Sequence, residues 1–263
     1  MTGETKLYND KVVISGRHVE RYKYDRLQLD GCQNLKSYTK REIPEDEKLR
    51  NKRQNLYRAA KEIRRRINAN LTYKNDTMLT LTYADIVDDR TMSNRYFTLF
   101  VLRLKAYILK HHVKELKYIA VIEYQERGAI HYHMLMFDVP YIPAEVIAEL
   151  WGHGFVKLKQ VSKEGTPGYL TKYLCKDAKN VTADDLKNEH KKSYFCSRNL
   201  AKYLVIKLLS HEHLDRLLDG VDKITRYTTT WIGMYTGFTI YTAYILKETT
   251  KNTILTALTA GVI

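Results

Sequence analysis

The pattern of hydrophobic and polar positions is most regular between residues 46 and 177. Leu56, Ala60, Ile63 and Ile67 recur every three or four positions, which predicts an amphipathic helix over 46–70. Residues 77–83 alternate and are rich in β-branched side chains, which is typical of a strand. A helix over 93–112 is predicted next, with Ser93 as its N-cap.

The same pattern predicts a compact run of elements after that helix. With the strand at 77–83 and the helix at 93–112, the order is β-α-β-β-α-β followed by a further helix, which is typical of a ferredoxin-like split sheet. We therefore expect an α+β fold with an antiparallel sheet. The further predicted elements are strands at 117–124, 129–137 and 155–161 and helices at 143–151 and 166–177, the last with Thr166 as N-cap.

The two ends of the chain lack this regularity. Residues 1–45 are polar and rich in tyrosine without a sustained period, so we expect a partly ordered arm. The run 227–246 is uncharged and long enough for a bilayer span, but its threonines and alternation favour a hairpin packed on the sheet or on a partner chain. The predicted organisation is an arm (1–45), a basic helix (46–75), a catalytic core (76–200), and a C-terminal helix with a β-rich hairpin tail (201–263).

The charge balance indicates a polyanionic partner. The 263 residues contain 44 Lys and Arg against 30 Asp and Glu, a net charge of +14, which most often means nucleic acid. The helix over 46–70 carries many of these charges and can follow phosphates, although a simply solvated helix face is the alternative. The DNA-binding candidates on it are Arg53, Arg58, Lys61, Arg64, Arg65 and Arg66.

Cysteine usage and the N-terminus suggest where the protein works. Three scattered cysteines do not form a disulfide framework, which favours a reducing cytoplasm. The N-terminal residues contain no apolar stretch of the kind found in secretory signals. Cytoplasmic location without a membrane partner is the expectation.

Two histidines on one strand form the most informative motif. His131 and His133 are two residues apart, so both imidazoles lie on one face of the strand. A three-residue turn over 126–128 with Gly128 in the left-handed position places Glu123 directly opposite His131. One carboxylate and two imidazoles then form a divalent-metal site suited to Mn²⁺ or Mg²⁺, with Zn²⁺ less favoured. Glu126 competes as the third ligand from the turn.

Two tyrosines on the last predicted helix form a second motif. Tyr169 and Tyr173 are four residues apart on one helix face, and Lys172 and Lys176 lie along the same side. Tyrosine is a weak nucleophile because its pKa is near 10, but an adjacent ammonium favours the phenolate. Such an oxygen could attack phosphorus and become covalently linked. Alone, this spacing is more often packing than chemistry.

At these residues the sequence resembles the HUH endonuclease superfamily, and within it the rolling-circle replication initiators of bacterial plasmids and phages. The resemblance covers roughly residues 45–200. The matching segments are Thr80-Leu81-Thr82-Tyr83, His131-Tyr132-His133, Trp151 to Val156, Tyr169-x-x-x-Tyr173-x-x-Lys176, and Tyr194 to Arg198.

The resemblance implies a function and roles for these residues. Such proteins nick one DNA strand at an origin hairpin, keep the 5′ phosphate on tyrosine and release a 3′-OH that primes synthesis. Glu123, His131 and His133 would hold the metal. Tyr173 is the preferred nucleophile because Lys176 follows it at the spacing of single-tyrosine relatives, and Tyr169 is the second. The implied partners are single-stranded and origin-hairpin DNA, a host helicase and a host polymerase in a bacterial cytoplasm.

Other functions remain open at this point. A relaxase or transposase of the same superfamily would share the metal and tyrosine chemistry. A non-catalytic nucleic-acid binder on a ferredoxin-like sheet would explain the charge and the tyrosines but not Glu123, His131 and His133. Among other polar residues, His153 and His190 are expected to be structural or surface residues, and Cys175 to pack within its helix.

Overall fold

The chain divides into two compact units, one of residues 42–201 and the other of residues 1–41 and 202–263. The computed structural model describes residues 6–30, 43–124, 129–161, 166–179, 194–209, 212, 215, 216, 218 and 222–247. In chain order the elements are β1 (Leu7–Ser15), β2 (His18–Leu29), α1 (Glu45–Asn70), β3 (Thr77–Thr82), α2 (Arg90–His112), β4 (Lys117–Tyr124), β5 (Ile130–Phe137), α3 (Ala144–Trp151), β6 (Val156–Gln160), α4 (Thr166–Lys179), β7 (Tyr194–Cys196), β8 (Leu204–Leu208), β9 (Lys223–Gly233) and β10 (Gly237–Leu246).

The unit of residues 42–201 is built on an antiparallel sheet of strand order β6-β3-β5-β4-β7. Every residue of the central strand β5 is buried. Because side chains alternate along a strand, Tyr132 and Met134 pack in the cluster that contains α2 and α3. Leu135 and Phe137 pack in the opposite cluster with α1 and α4. The α+β class and the antiparallel sheet are as the element pattern predicts.

Helix α1 belongs to this unit and is not a region of its own, as the predicted division at residue 75 had it. Leu56, Ala60, Ile63 and Ile67 are buried in the cluster shared with α4. The predicted apolar stripe of the helix is therefore confirmed, and that stripe is what joins the basic helix to the sheet.

The predicted N-cap of α2 is wrong. The helix begins at Arg90, and the Asp89 side chain accepts hydrogen bonds from the backbone N–H of Thr91, at 2.7 Å, and of Met92, at 3.4 Å. Ser93 is instead fully buried, with its Oγ 2.9 Å from the hydroxyl of Tyr132. The helix gains one turn because Asp89 is also a strong capping residue, and Ser93 is taken up by a buried polar network.

The N-terminal segment is the largest correction. Residues predicted as a partly ordered arm contain β1 and β2, which lie in a second antiparallel sheet of order β8-β1-β2-β10-β9. Val12 pairs with Arg21 across the two strands, and the buried Arg21 Nε donates to Asp10 at 3.0 Å. Charged residues at inward-facing positions mask the alternation that would otherwise identify these strands.

The predicted C-terminal hairpin is confirmed, with β9 and β10 joined in antiparallel register. It does not pack on the central sheet, because β10 pairs with β2 of its own unit. In the described part of the chain, no helix has both the length and the apolar character needed to cross a bilayer. Most of residues 210–221 lies outside the described residues, so the C-terminal helix stays a prediction.

The capping of α2 gives a first testable prediction. Replacing Asp89 by alanine removes an acceptor for two helix N–H groups and should lower the free energy of unfolding by about 1 kcal/mol. Asp88→Ala, which removes an equal charge from the neighbouring exposed residue, should change it by less than about 0.5 kcal/mol. Urea denaturation followed by helical ellipticity measures both, since α1 to α4 all lie in residues 42–201. Equal losses in the two variants would contradict the capping role.

Candidate active site

The two histidines lie at the centre of the sheet. His131 and His133 are both buried on β5, on the face that α1 and α4 cover. Glu123 on β4 is paired with His131, which confirms the predicted register. The turn itself, residues 125–128 with Glu126, lies outside the described residues. One face of the sheet therefore presents a carboxylate and two imidazoles together.

The carboxylate bonds to the histidine that lies diagonally across from it. The Nε2 atom of His133 is 2.7 Å from Oε2 of Glu123, whereas the directly opposed partner of Glu123 is His131. Diagonal cross-strand neighbours are within reach of a long side chain such as glutamate. Burial lowers the pKa of His133, and the hydrogen bond to Glu123 raises it in part. The net lowering favours the neutral imidazole, the form that binds metals.

Thr80 completes the hydrogen bonding of His133 and was missed as a functional residue. It is paired with His133 across β3 and β5, and its hydroxyl lies 3.3 Å from the imidazole Nδ1. A partner at the second ring nitrogen fixes the tautomer and orientation of a metal-binding histidine. The signal was present in the sequence, since Thr80 begins the first of the matching segments.

Helix α4 places both tyrosines against His133. The ring of Tyr173 stacks on the imidazole with centroids 4.1 Å apart and an interplanar angle of 6°. The ring of Tyr169 meets the imidazole edge-on at 6.1 Å and lies 5.5 Å from Tyr173. The structure thus brings together the two motifs that the sequence could only connect by resemblance.

The two tyrosines differ in their surroundings. Tyr169 is 40% exposed and Tyr173 only 6%. Burial raises the pKa of the Tyr173 phenol, and its hydrogen bond with Tyr169 raises it further. This opposes the expected ionisation of Tyr173, because desolvation disfavours the charged phenolate.

Lys172 lies beside both rings. Its Nζ is 4.1 Å from the ring centroid of Tyr169 and 4.9 Å from that of Tyr173. One ammonium is therefore available to both phenols or to a phosphate bound between them. The side chain of Lys176 lies outside the described residues, so its predicted role stays a prediction.

The donor set can be examined for a metal ion. Among the described residues, no three His, Cys, Asp or Glu side chains are arranged as a finished metal site. The His133 Nε2 and the Glu123 carboxylate share a hydrogen bond, and the Nε2 atom of His131 is buried on the same face. A divalent ion can replace the shared proton of such a pair, and these nitrogen and oxygen donors suit it. The residues therefore fit a metal but are hydrogen-bonded to each other in this structure.

Helix α1 turns a basic side outward. Four of its six DNA-binding candidates are exposed and two are half-buried. One half-buried residue, Arg66, donates from Nε to Glu62 at 2.6 Å, so part of its charge is used within the helix. The exposed candidates are Arg53, Arg58, Lys61 and Arg64, and the half-buried ones are Arg65 and Arg66.

The segment between α3 and β6 is bonded to the end of β3. The backbone N–H of Ala84 donates to the carbonyl of His153 and that of Thr82 to the carbonyl of Phe155, both at 2.9 Å. Between them Gly154 has φ +149°, and a Cβ there would lie 2.4 Å from the Thr82 oxygen. His153 stacks on a tyrosine of α2, which agrees with a structural role. His190 lies outside the described residues, and Cys175 packs against the core as expected.

Comparison with known proteins indicates a role in replication. Residues 76–178 match the family model of the replication-associated protein ORF2. The chain is also 26% identical over 126 residues to the replication-associated protein ORF4 of Chlamydia phage 1, an alignment that covers 40% of this chain and 31% of that protein. The chain thus aligns with about a third of the length of this curated relative. No solved structure matches the chain.

The matched region contains the whole candidate site. It runs from the residue before β3 almost to the end of α4, and so includes Glu123, His131, His133, Tyr169 and Tyr173. The similarity therefore supports a role in the initiation of replication, and it falls on the segment where the two motifs meet.

The environment of His133 gives a second prediction. In protein freed of metal with EDTA, the His133 imidazole should titrate below its ordinary pKa of about 6.5, because burial disfavours its charged form. Glu123→Gln should lower the midpoint further, since the carboxylate stabilises the imidazolium. Histidine ring signals followed by NMR from pH 4 to pH 8 measure this, with His133→Gln to assign the signal. A midpoint above the ordinary value, or an upward shift in Glu123→Gln, would contradict the assignment.

The bonded segment after α3 gives a third prediction. Gly154→Ala forces a Cβ into the backbone of β3 at an unfavourable φ, and should lower the free energy of unfolding by about 1–3 kcal/mol. Gly168→Ala is the matched control, because nothing lies within 4 Å of the added Cβ. It should raise the stability of α4 by about 0.4–1 kcal/mol. Urea denaturation measures both, and a tolerated Gly154→Ala would show that the segment is not held against β3.

Proposed function

We propose that the protein is a metal-dependent, site-specific single-strand DNA endonuclease and strand transferase of the HUH type that initiates rolling-circle replication. The observation that carries the proposal is the contact between α4 and β5. Two tyrosines lie against the imidazole of His133 on the face that also holds His131 and Glu123. A nucleic-acid binder without catalysis has no need for this grouping.

The strand order supports the finer fold assignment within this proposal. Strands β6-β3-β5-β4 are neighbours in that order, and α2 and α3 share one face of the sheet. Numbering these four strands along the chain gives the order 4-1-3-2, which follows from two interleaved split β-α-β units. In such a sheet the face opposite the two helices is available for a site, and here it carries both histidines.

Exposure favours Tyr169 as the first nucleophile, in place of Tyr173. Its phenol oxygen forms a bond to phosphorus while the bond from phosphorus to the 3′ oxygen breaks. The phenol gives up its proton and the departing 3′ oxygen takes one up, so the step leaves a 5′ phosphotyrosine and a 3′-OH. Lys172 is placed to stabilise either the phenolate or the phosphate charge. Tyr173 then acts as the second nucleophile once it leaves its stack on His133.

Glu123, His131 and His133 are the residues that would hold a divalent ion, Mn²⁺ or Mg²⁺ in preference to Zn²⁺. When bound, such an ion polarises the scissile phosphate as a Lewis acid. Thr80 orients His133 from the other side of the ring. The basic side of α1 and the origin hairpin form the DNA contact, and a host helicase and polymerase in the bacterial cytoplasm complete the reaction.

A cleavage assay tests this function. The full chain is incubated with labelled single-stranded DNA of its own replicon, with Mn²⁺ or with EDTA, and separated on a denaturing gel. We expect a covalent protein–DNA adduct with Mn²⁺ and none with EDTA. Tyr169→Phe should reduce the first cleavage by about 100-fold or more, because it removes the attacking oxygen. Tyr173→Phe should retain it, and His131→Ala should lose it.

Tyr141→Phe is the matched control, because Tyr141 is 86% exposed and lies away from the site. A first cleavage lost in Tyr173→Phe and retained in Tyr169→Phe would reverse the assignment of the two tyrosines. DNA binding in EDTA without any adduct under Mn²⁺, Mg²⁺ or Zn²⁺ would overturn the enzyme proposal in favour of a binding module. Cleavage only at transfer-origin or transposon-end sequences would indicate a relaxase or a transposase.

A further inference from the structure

The edge strand β6 extends the site face beyond the histidines. Thr80 on β3 is paired with Lys157 on one side and with His133 on the other. By the same register Lys159 lies opposite Met78, two residues along. Directly paired residues point to the same face. The two lysines therefore stand on the face that holds His131 and His133.

Phe155 begins this row at the upper end of β6. Its carbonyl accepts a hydrogen bond from the N–H of Thr82, which is itself paired with His131. The next residue, Val156, is paired with Leu81 and packs with the α2 and α3 cluster on the opposite face. Because side chains alternate, Phe155 lies on the same face as the two lysines and the two histidines.

All three side chains of this row are open to solvent. Phe155 is 75% exposed, and Lys157 and Lys159 are exposed as well. Lysines on an edge strand also discourage pairing between sheets, but that purpose does not account for an exposed phenylalanine. An aromatic ring between basic groups is the arrangement that proteins use for single-stranded nucleic acid.

The ring of Phe155 starts from a backbone that is held in place. Hydrogen bonds join both His153 and Phe155 to the end of β3, and Gly154 permits that close approach. A surface already in its binding geometry loses little entropy when a ligand binds. The row is about 10 Å from β5, since two strand spacings separate them. A strand lying on this row therefore continues directly into the candidate site.

We propose that Phe155, Lys157 and Lys159 form a binding surface for the single-stranded DNA that flanks the scissile phosphate. One base stacks on Phe155, and the two lysines contact backbone phosphates. The surface selects single-stranded DNA because a base can reach Phe155 only when it is unpaired. This inference rests on the proposed function, since it extends the DNA path of that same site.

Binding measured without cleavage tests the surface. The full chain with Tyr169→Phe and Tyr173→Phe, in EDTA, is titrated into a fluorescent oligothymidylate of about 15 nucleotides, and anisotropy is recorded at several salt concentrations. Phe155→Ala should weaken binding by about 5- to 100-fold without changing its salt dependence. Phe155→Trp should restore binding. Lys157→Ala/Lys159→Ala should reduce the slope of log affinity against log salt by about 1.4, or about 0.7 for each phosphate.

The chain offers matched controls for each change. Tyr141→Ala removes an equally exposed aromatic ring, and Lys105→Ala/Lys110→Ala removes two exposed charges from α2 on the opposite side of the sheet. Phe155→Ala within twofold of Tyr141→Ala would overturn the stacking role. An unchanged salt slope in the Lys157/Lys159 variant, or an equal change in the Lys105/Lys110 variant, would overturn the phosphate contacts.

Failure of this inference is distinguishable from failure of the proposed function. If the wild-type chain forms the tyrosine adduct but Phe155→Ala binds normally, the surface is wrong and the enzyme proposal stands. If no adduct forms but Phe155→Ala still loses affinity, the surface stands on a protein that binds DNA without cutting it.

Discussion

The pairing register of β5 with its two neighbours is the constraint on which the site depends. A shift of one residue would turn His131 and His133 toward α2 and α3, away from the tyrosines of α4. Such a shift is opposed on both faces, since Tyr132 and Met134 fill one hydrophobic cluster and Leu135 fills the other. The hydrophobic core therefore holds the polar residues in position.

The stack of Tyr173 on His133 connects the packing of α4 with its chemistry. It orients an imidazole that Thr80 and Glu123 bond from its two nitrogens. The same burial that orients the ring also raises the pKa of the Tyr173 phenol. One helical turn earlier, Tyr169 stands in a more open environment beside Lys172. Neighbouring tyrosines on one helix thus have different reactivity without any difference in residue type.

The site face is covered on one side and open on the other. Helices α1 and α4 cover the part of the sheet that contains β4 and β5. Strand β6 at the opposite edge carries only exposed residues on this face, beside the half-buried Thr80 and Thr82. A chain molecule can therefore approach from β6 and end at the histidines. The closed side supplies orientation and desolvation, and the open side supplies access.

Local patterns were sufficient for much of the central unit. The bounds of α1, β4 and β5 follow from periodicity within each segment, and the register of Glu123 with His131 follows from one short turn. Competition between nearby signals was harder to judge. Asp89 and Ser93 both suit an N-cap, and only burial of Ser93 beside Tyr132 decided between them.

The sequence by itself determined which residues carry the chemistry and on which elements they lie, because strand and helix periods are properties of contiguous residues. Only the tertiary structure decided their environments. It placed Glu123 against His133, buried Tyr173 while leaving Tyr169 exposed, and added the first two strands to a sheet completed by β8 and β10. Each of these outcomes depends on packing between segments far apart in the chain, and no local pattern contains that information.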